Sequence, residues 1–363
     1  MAEDELPKLR QQIDALDEKL LEMFNQRASL AVQVADVKKA ALPEGASIEY
    51  FRPDREAQVI SRIKQLNRGP LSDREAGRLI REVMSACLAL EQPLRIAYLG
   101  PAGTFTEQAA LKHFGHSVET LAMSCIPDVF SAVEAGHSDF GLVPVENSTE
   151  GVVSHTLDTF LHSDLKVCGE VEIRIHHQLA NLSQNPDHIR KIYSHQQSFA
   201  QCRNWLDQHY PDLERIPVSS NAEAAHIASA DPEAAAICGI QAADLAGLQV
   251  CAKNIEDMAD NTTRFMVIGA MDVAPSGNDK TSLLLSARNR PGSLLGLLEP
   301  LARNNISMNK IESRPSPDRM WDYVFFVDID GHQQDPAVAT ALEDLQAQAA
   351  LFKILGSYPK SAL

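Results

Sequence analysis

Apolar residues recur at three- and four-residue intervals through Leu6, Leu9, Ile13, Leu16, Leu20, Met23, Leu30, Val34 and Val37. That spacing predicts one long amphipathic helix of about 50 Å at 1.5 Å per residue. The position skipped in the seam is Arg27, and Lys38 falls on roughly the same face at about 100° per residue. A cation inside an apolar seam is costly unless it meets an anion. Arg10 lies on another face, about 25 Å from Arg27 along the axis, so a pocket that uses both needs two chains. Leu42-Pro43-Glu44-Gly45 interrupts the pattern, and two shorter helices follow over 54–66 and 72–91, the second opened by a Ser72 cap.

After Pro93 the period changes. Arg95 to Leu99 reads as a strand that runs into Gly100-Pro101-Ala102-Gly103-Thr104-Phe105-Thr106 and a helix from Glu107. A glycine turn between a strand and a helix is an anion site in principle. It is neither Gly-x-Gly-x-x-Gly nor a P-loop. Asp139 to Val145 is an apolar strand ending in Glu146-Asn147-Ser148-Thr149, and open α/β sheets place ligands at such strand ends; Ser148 or Thr149 is equally suited to capping a helix. Lys166 to Ile175 alternates as a strand or two, and Tyr193-Ser194-His195 reads as a strand end turning into a helix that carries Gln201. Ala222 to Ala230 and Ala234 to Ala243 read as alanine-rich helices. Asp260-Asn261-Thr262-Thr263-Arg264-Phe265 enters one more buried strand, its hydroxyls and guanidinium suited to present donors to an anion. Past the linker Ala274 to Asn278, strands over 281–287, 306–313, 321–330 and 351–358 with helices over 292–304 and 335–348 give βαββαβ, a ferredoxin-like layout.

The 363 residues suffice for two or three domains with real cores. A formal net charge of -16 without a Lys/Arg block argues against nucleic acid and anionic membrane as partners, and implies that an anionic substrate is met by local cationic clusters. The acidic start is no signal peptide, and no apolar run approaches a membrane span. The six cysteines form no Cys-x-x-Cys pair, which points away from zinc or a disulfide framework and towards a reduced, cytoplasmic protein.

Gly-Pro-x-Gly-Thr-Phe, Val-Pro-x-Glu-Asn-Ser, Tyr-Ser-His and Thr-Arg-Phe, in that order, resemble the motifs of the prephenate dehydratases. The helical segment, with Leu-Arg-x-x-Ile-Asp-x-Leu-Asp-x-x-Leu-Leu, Arg27, Lys38 and Asp54-Arg55-Glu56, resembles the all-helical chorismate mutases. Asn289-Arg290-Pro291-Gly292-Ser293-Leu294 and Glu312-Ser313-Arg314-Pro315 resemble the two signatures of ACT amino-acid-binding domains. The resemblance implies a mutase unit over 1–92, a two-lobed α/β dehydratase domain over 93–272 in the manner of periplasmic binding proteins, and an α+β ferredoxin-like ACT domain over 280–359. It implies conversion of chorismate to prephenate and then to phenylpyruvate, with L-phenylalanine as allosteric inhibitor, no cofactor and no metal, in a homodimer or higher oligomer. Arogenate as substrate, a merely regulatory helical arm and a non-catalytic amino-acid sensor are the competing expectations.

By that resemblance Arg10, Arg27 and Lys38 hold the chorismate carboxylates and ether oxygen, Glu56 its hydroxyl, and Glu91 stands where many relatives carry glutamine. A carboxylate cannot donate to an ether oxygen, so Glu91 has to be protonated to serve there. Arg52 and Cys87 replace an acid and a serine and carry no assigned role. Thr263 is the key donor at the leaving hydroxyl, with Glu146, Asn147, Ser148, Ser194 and Gln201 lining the cleft. Arg264 pairs with a substrate carboxylate or holds Glu146 in place. His195 falls within the Tyr-Ser-His motif. Asn289, Gly292, Ser293, Leu294, Glu312, Ser313 and Arg314 are the expected phenylalanine contacts.

Overall fold

A computed structural model describes residues 2–41, 50–287, 290–315 and 323–361. The proline–glycine break at 42–45 and Asn289 lie outside them.

The long apolar seam forms α1 (Ala2–Ala41), followed by α2 (Pro53–Leu66) and α3 (Asp73–Ala89), whose Ser72 cap accepts from the Glu75 amide. α1 packs on α3, with Ala35 buried, while its seam stays open: Ile13, Leu16, Leu20 and Met23 are 55%, 57%, 46% and 62% exposed. A helix with such a face unburied is stabilised only by another partner.

The middle of the chain builds two sheets. β1 (Arg95–Leu99), α4 (Phe105–Phe114), β2 (Glu119–Met123), α5 (Ile126–Glu134), β3 (Phe140–Asn147), β4 (Gly151–Val152), α6 (Ser154–Phe160) and β5 (Lys166–Arg174) belong to the first lobe. β6 (Gln178–Asn181), β7 (Lys191–His195), α7 (Gln196–Gln201), α8 (Arg203–His209), β8 (Glu214–Val218), α9 (Asn221–Ala228), β9 (Ala234–Cys238), α10 (Ile240–Leu245) and β10 (Gln249–Ala252) make the second, with strand order β10-β6-β9-β7-β8. The chain then returns as β11 (Thr262–Gly269), inserted between β3 and β5 of the first sheet, whose order is β2-β1-β3-β11-β5. The antiparallel register sets Thr263 opposite Asn147 and Arg264 opposite Glu146.

One helix expectation is corrected. Ala234-Ala-Ala-Ile-Cys is β9, buried along its whole length between β6 and β7. Alternate positions face two separate cores, Ala234, Ala236 and Cys238 on one side and Ala235 and Ile237 on the other. Asp231-Pro232 before it and Gly239 after it leave too short a run for a helix, and burial on both faces overrides alanine's helical preference.

The C-terminal unit is β12 (Asp279–Ser286), α11 (Ser293–Arg303), β13 (Met308–Pro315), β14 (Tyr323–Asp330), α12 (Pro336–Gln348) and β15 (Leu351–Pro359), the expected βαββαβ with strand order β13-β14-β12-β15. Its helices cover one face of the sheet. The other face packs on the first lobe, where Leu284, Val324, Phe326, Leu355 and Tyr358 share one core with Val145, Val167, Met266 and Ile268. The approach is so close that a Cβ at Gly356 would overlap the backbone of Val167. No helix among the described residues is long and apolar enough to cross a membrane.

Candidate active sites

The two lobes enclose a cleft of about 930 Å³. Its walls are the loop and first turn of α4, the segment 150–155 entering α6, the starts of α7 and α9, and the strand ends that carry Asn147 and Thr263. Neither lysine nor arginine is among these lining residues. The expected cationic cluster is therefore absent from the described walls. Two helix N-termini face it instead: Thr104 caps α4 from the first lobe and Ser220 caps α9 from the second, and backbone N–H groups with the helix dipole favour an anion at such ends.

Strand alternation decides which motif residues reach the cleft. Thr263 and Asn147, paired across β11 and β3, both line it. Their neighbours Arg264 and Glu146 point to the opposite face, as period-two geometry requires. Arg264 is 9% exposed and donates to Glu170 at 3.0 Å, to Asp328 at 2.6 Å and to the Tyr358 hydroxyl at 3.1 Å. These anions hold its charge firmly, while burial of the Tyr358 phenol raises that group's pKa well above the usual range. Glu146 accepts from Lys310 of β13 at 2.6 Å. Arg264 and Glu146 thus join the first lobe to the C-terminal sheet, and neither Arg264 expectation, a carboxylate of the substrate or Glu146, describes its partners.

Asn147 Nδ2 donates to Thr263 Oγ1 and to Asn261 Oδ1, each at 2.8 Å, and its Oδ1 accepts from the backbone amides of Thr149 and Glu150 at 3.0 and 3.1 Å. The amide orientation is fixed by those two backbone donors. Thr263 Oγ1 therefore acts as acceptor towards Asn147, and among the described residues no acceptor takes its hydrogen, which is left to point into the cleft. Gln201 lines the cleft too. Ser148 does not: it is exposed, and its hydroxyl accepts from the Thr262 amide to close the β3–β11 pairing. Ser194 is fully buried beneath the wall, donating to Asn221 at 3.0 Å and to the Ile237 carbonyl at 3.2 Å. Asn221 in turn donates to Ser198 at 2.8 Å, and both of these line the cleft. His195 lines it as the cap of α7, its ring accepting from the Gln197 amide. Sequence reading missed His177, Asn221, Ser198 and Asn261. Asn261 stood within the quoted motif and Asn221 follows Ser219-Ser220; His177 and Ser198 carried no signal beyond their polarity.

Of the mutase candidates, Lys38 and Glu91 lie close together: burial raises the Glu91 pKa, and Lys38 and Lys39 oppose the rise. Arg10 is exposed and Arg27 half-buried on the open helix α1. Glu56 is elsewhere. It is paired at 2.8 Å with buried Arg81, in a small cavity shared with Lys112, His113, Glu170 and Lys360 where all three units meet. Burial raises its pKa against the pull of Arg81. Arg81 lies on α3 ten residues before Glu91, which stands just past the end of that helix, and Glu56 faces Arg81 rather than the Lys38–Glu91 pair.

In the C-terminal unit, Arg314 pairs with Val324, which pairs with Ser286, so β13's signature and the loop entering α11 share one end of the sheet. Gly292 opens α11 with φ 80°, a left-handed conformation that suits glycine. Ser293 is half-buried, Leu294 exposed, and Glu312 and Ser313 lie on the open edge strand β13. Arg314 turns to the dehydratase side instead: it binds Asp158 through two nitrogens, at 3.2 and 2.9 Å, and the Ser154 hydroxyl at 2.9 Å.

Comparison with known proteins agrees with this division. A family model described as Chorismate mutase type II matches residues 9–92, one described as Prephenate dehydratase matches 96–273, and one described as ACT domain matches 281–347. A bifunctional chorismate mutase/prephenate dehydratase of Stutzerimonas stutzeri is 53% identical over 361 residues, covering 99% of both chains. The protein of that name from Escherichia coli K12 is 31% identical over 99% of this chain and 97% of its own. The crystal structure of a prephenate dehydratase from Arthrobacter aurescens in complex with L-Phe superposes with a TM-score of 0.68 at 34% identity, over 73% of this chain and 90% of that one. On this full-length likeness, the chain belongs to the family of bifunctional chorismate mutase/prephenate dehydratases.

Proposed function

We propose that the chain rearranges chorismate to prephenate in its helical unit and converts prephenate to phenylpyruvate in the interlobe cleft, under feedback by L-phenylalanine. The observation that carries the cleft assignment is Thr263, held as acceptor by Asn147 with its hydroxyl hydrogen free. Prephenate gives up CO2 and hydroxide; the electron pair of the breaking C–C bond enters the ring as the C–O bond breaks, and aromatisation drives both. Thr263 donates a hydrogen bond to the departing oxygen, and the proton that completes water arrives through the polar network. The N-termini of α4 and α9, one from each lobe, serve the two carboxylates.

The mutase step needs no nucleophile. It needs one conformer compressed and charge offset at the ether oxygen. Arg10 and Arg27 are too far apart to serve one ligand from one helix, and the exposed seam of α1 supports a second copy that supplies the missing cation and buries that seam, making a homodimer or larger assembly. None of the six cysteines forms a disulfide among the described residues, which fits a reducing cytoplasm.

Feedback has a physical route in three ties. Lys310–Glu146, Asp328–Arg264 and Arg314–Asp158 join the ACT sheet to residues one or a few positions from Asn147, Thr263 and the Ser154 wall of the cleft. Phenylalanine bound between Gly292 and Glu312 of paired ACT units shifts the cleft only if the two states bind it unequally. Purified chain supplied with chorismate should release phenylpyruvate, and less of it when phenylalanine is added. Consumption of chorismate that stops at prephenate overturns the dehydratase reading, and no consumption overturns both.

A further inference from the structure

Gln201 sits on α7 of the second lobe, yet its side chain is held by the two segments that connect the lobes. Its Oε1 accepts from His177 Nε2 at 2.8 Å, on the first crossover, and from Asn261 Nδ2 at 3.0 Å, on the second. Its Nε2 donates to Thr149 Oγ1 at 3.3 Å in the first lobe. Every bond in this chain has one polarity. Backbone amides force Asn147 to present Nδ2; Asn261 must then turn Oδ1 to Asn147 and Nδ2 to Gln201; Gln201 must turn Oε1 towards Asn261 and His177. An oxygen that only accepts requires the proton on His177 Nε2. Among the described residues the ring's Nδ1 is left as a buried nitrogen without a hydrogen-bond partner, in a residue 1% exposed. An orphaned buried acceptor costs about 1–3 kcal/mol, so packing alone does not explain a histidine here.

Resting on the dehydratase reading, we propose that His177 and Asn261 are positioning residues for that step. Their two donors orient the Gln201 amide, so that its Nε2 hydrogens face Thr149 and the cleft beside the Thr263 hydroxyl. They also fasten the second lobe to both crossovers, which fixes the distance between groups that arrive from different lobes.

The test uses the full chain, with prephenate turnover read against mutase turnover of the same molecules. Asn261→Asp keeps the shape and the acceptor towards Asn147 but, ionised, cannot donate to Gln201. The expected result is a fall in kcat of about 100-fold with KM little changed, and a loss at least as large as that of Asn261→Ala. Glu150, Glu256 and Asp257 line the side chamber next to this position, and His177 faces it through Gln201. The acids hold the new carboxyl partly protonated in mild acid, so the Asp variant recovers as pH falls while Asn261→Ala does not. His177→Gln, which returns a donor near Nε2, should stay within about fivefold of wild type, and His177→Met should not. A wild-type kcat in Asn261→Asp, a loss flat with pH, or equal losses in the two His177 variants overturns the proposal. Failure of the unaltered chain to turn over prephenate would instead remove the reading on which it rests.

Discussion

Thr263 and Arg264 are adjacent in sequence and face opposite sides of one strand, so substitutions there should separate chemistry from stability. Arg264→Met removes a guanidinium whose partners Glu170 and Asp328 have side chains only 2% and 7% exposed. Glu170 keeps Lys280 at 2.8 Å and Asp328 keeps the Ser282 hydroxyl at 2.6 Å. Neither anion is abandoned, but each loses a buried charge-assisted bond. Breaking one side of a buried pair costs about 3–5 kcal/mol, which at about 2–4 °C per kcal/mol lowers the melting midpoint by roughly 6–20 °C. Thr263→Ala removes one hydroxyl at the cleft wall, costing at most about 1–2 kcal/mol of stability. Loss of a donor aimed at developing charge costs about 100–1,000-fold in kcat. Thermal unfolding and prephenate turnover on both variants decide the matter. The expected pattern is a heat-labile but active Arg264→Met protein, assayed well below its midpoint, beside a stable and nearly inert Thr263→Ala protein. An Arg264→Met protein with wild-type stability and no turnover would refute the alternation argument.

Three further outcomes are expected. Glu91 has its pKa raised chiefly by burial; on the role expected for it, in which the protonated acid donates to the ether oxygen, mutase turnover should fall as pH rises through that raised value, Glu91→Gln should flatten the profile, and an unchanged profile counts against a protonated Glu91. Lys310→Met cuts one tie between the ACT sheet and Glu146, and the phenylalanine needed for half-inhibition should rise at least about fivefold while calorimetry still detects binding; unaltered inhibition removes this tie from the route. Leu20→Glu on the open seam of α1 should yield monomers by light scattering, cut mutase turnover by about 100-fold and leave the dehydratase largely intact; a monomer with full mutase activity contradicts the two-chain pocket.

Long-period features were legible in the chain. The seam of α1, the Ser72 cap and the βαββαβ order follow from local spacing and capping chemistry, and the structure reproduces them. Thr263 and Asn147 were readable as a pair of strand ends, but their direct pairing depends on β11 returning between β3 and β5 after an entire second lobe. No local signal carries that. Direction was the weak point: a motif names Arg264, Glu146, Ser194 and Arg314 alike, whereas the face each occupies depends on register against another strand. Counting alternate positions from Thr263 would have turned Arg264 and Glu146 away from the cleft together. Glu56 is subtler, because its partner Arg81 comes from the neighbouring helix α3 and is itself held by the Lys112 carbonyl of α4, a contact between segments far apart in the chain. Cation placement misled for a related reason, since helix N-termini supply positive potential that a count of lysine and arginine does not register.

The account stands on Thr263 acting at the leaving hydroxyl in a cleft separate from the mutase. Supplying chorismate to the Thr263→Ala chain and following both products tests this most directly. Prephenate should accumulate at the wild-type mutase rate, with phenylpyruvate formation slowed by about 100-fold or more. Phenylpyruvate appearing at the wild-type rate would contradict it.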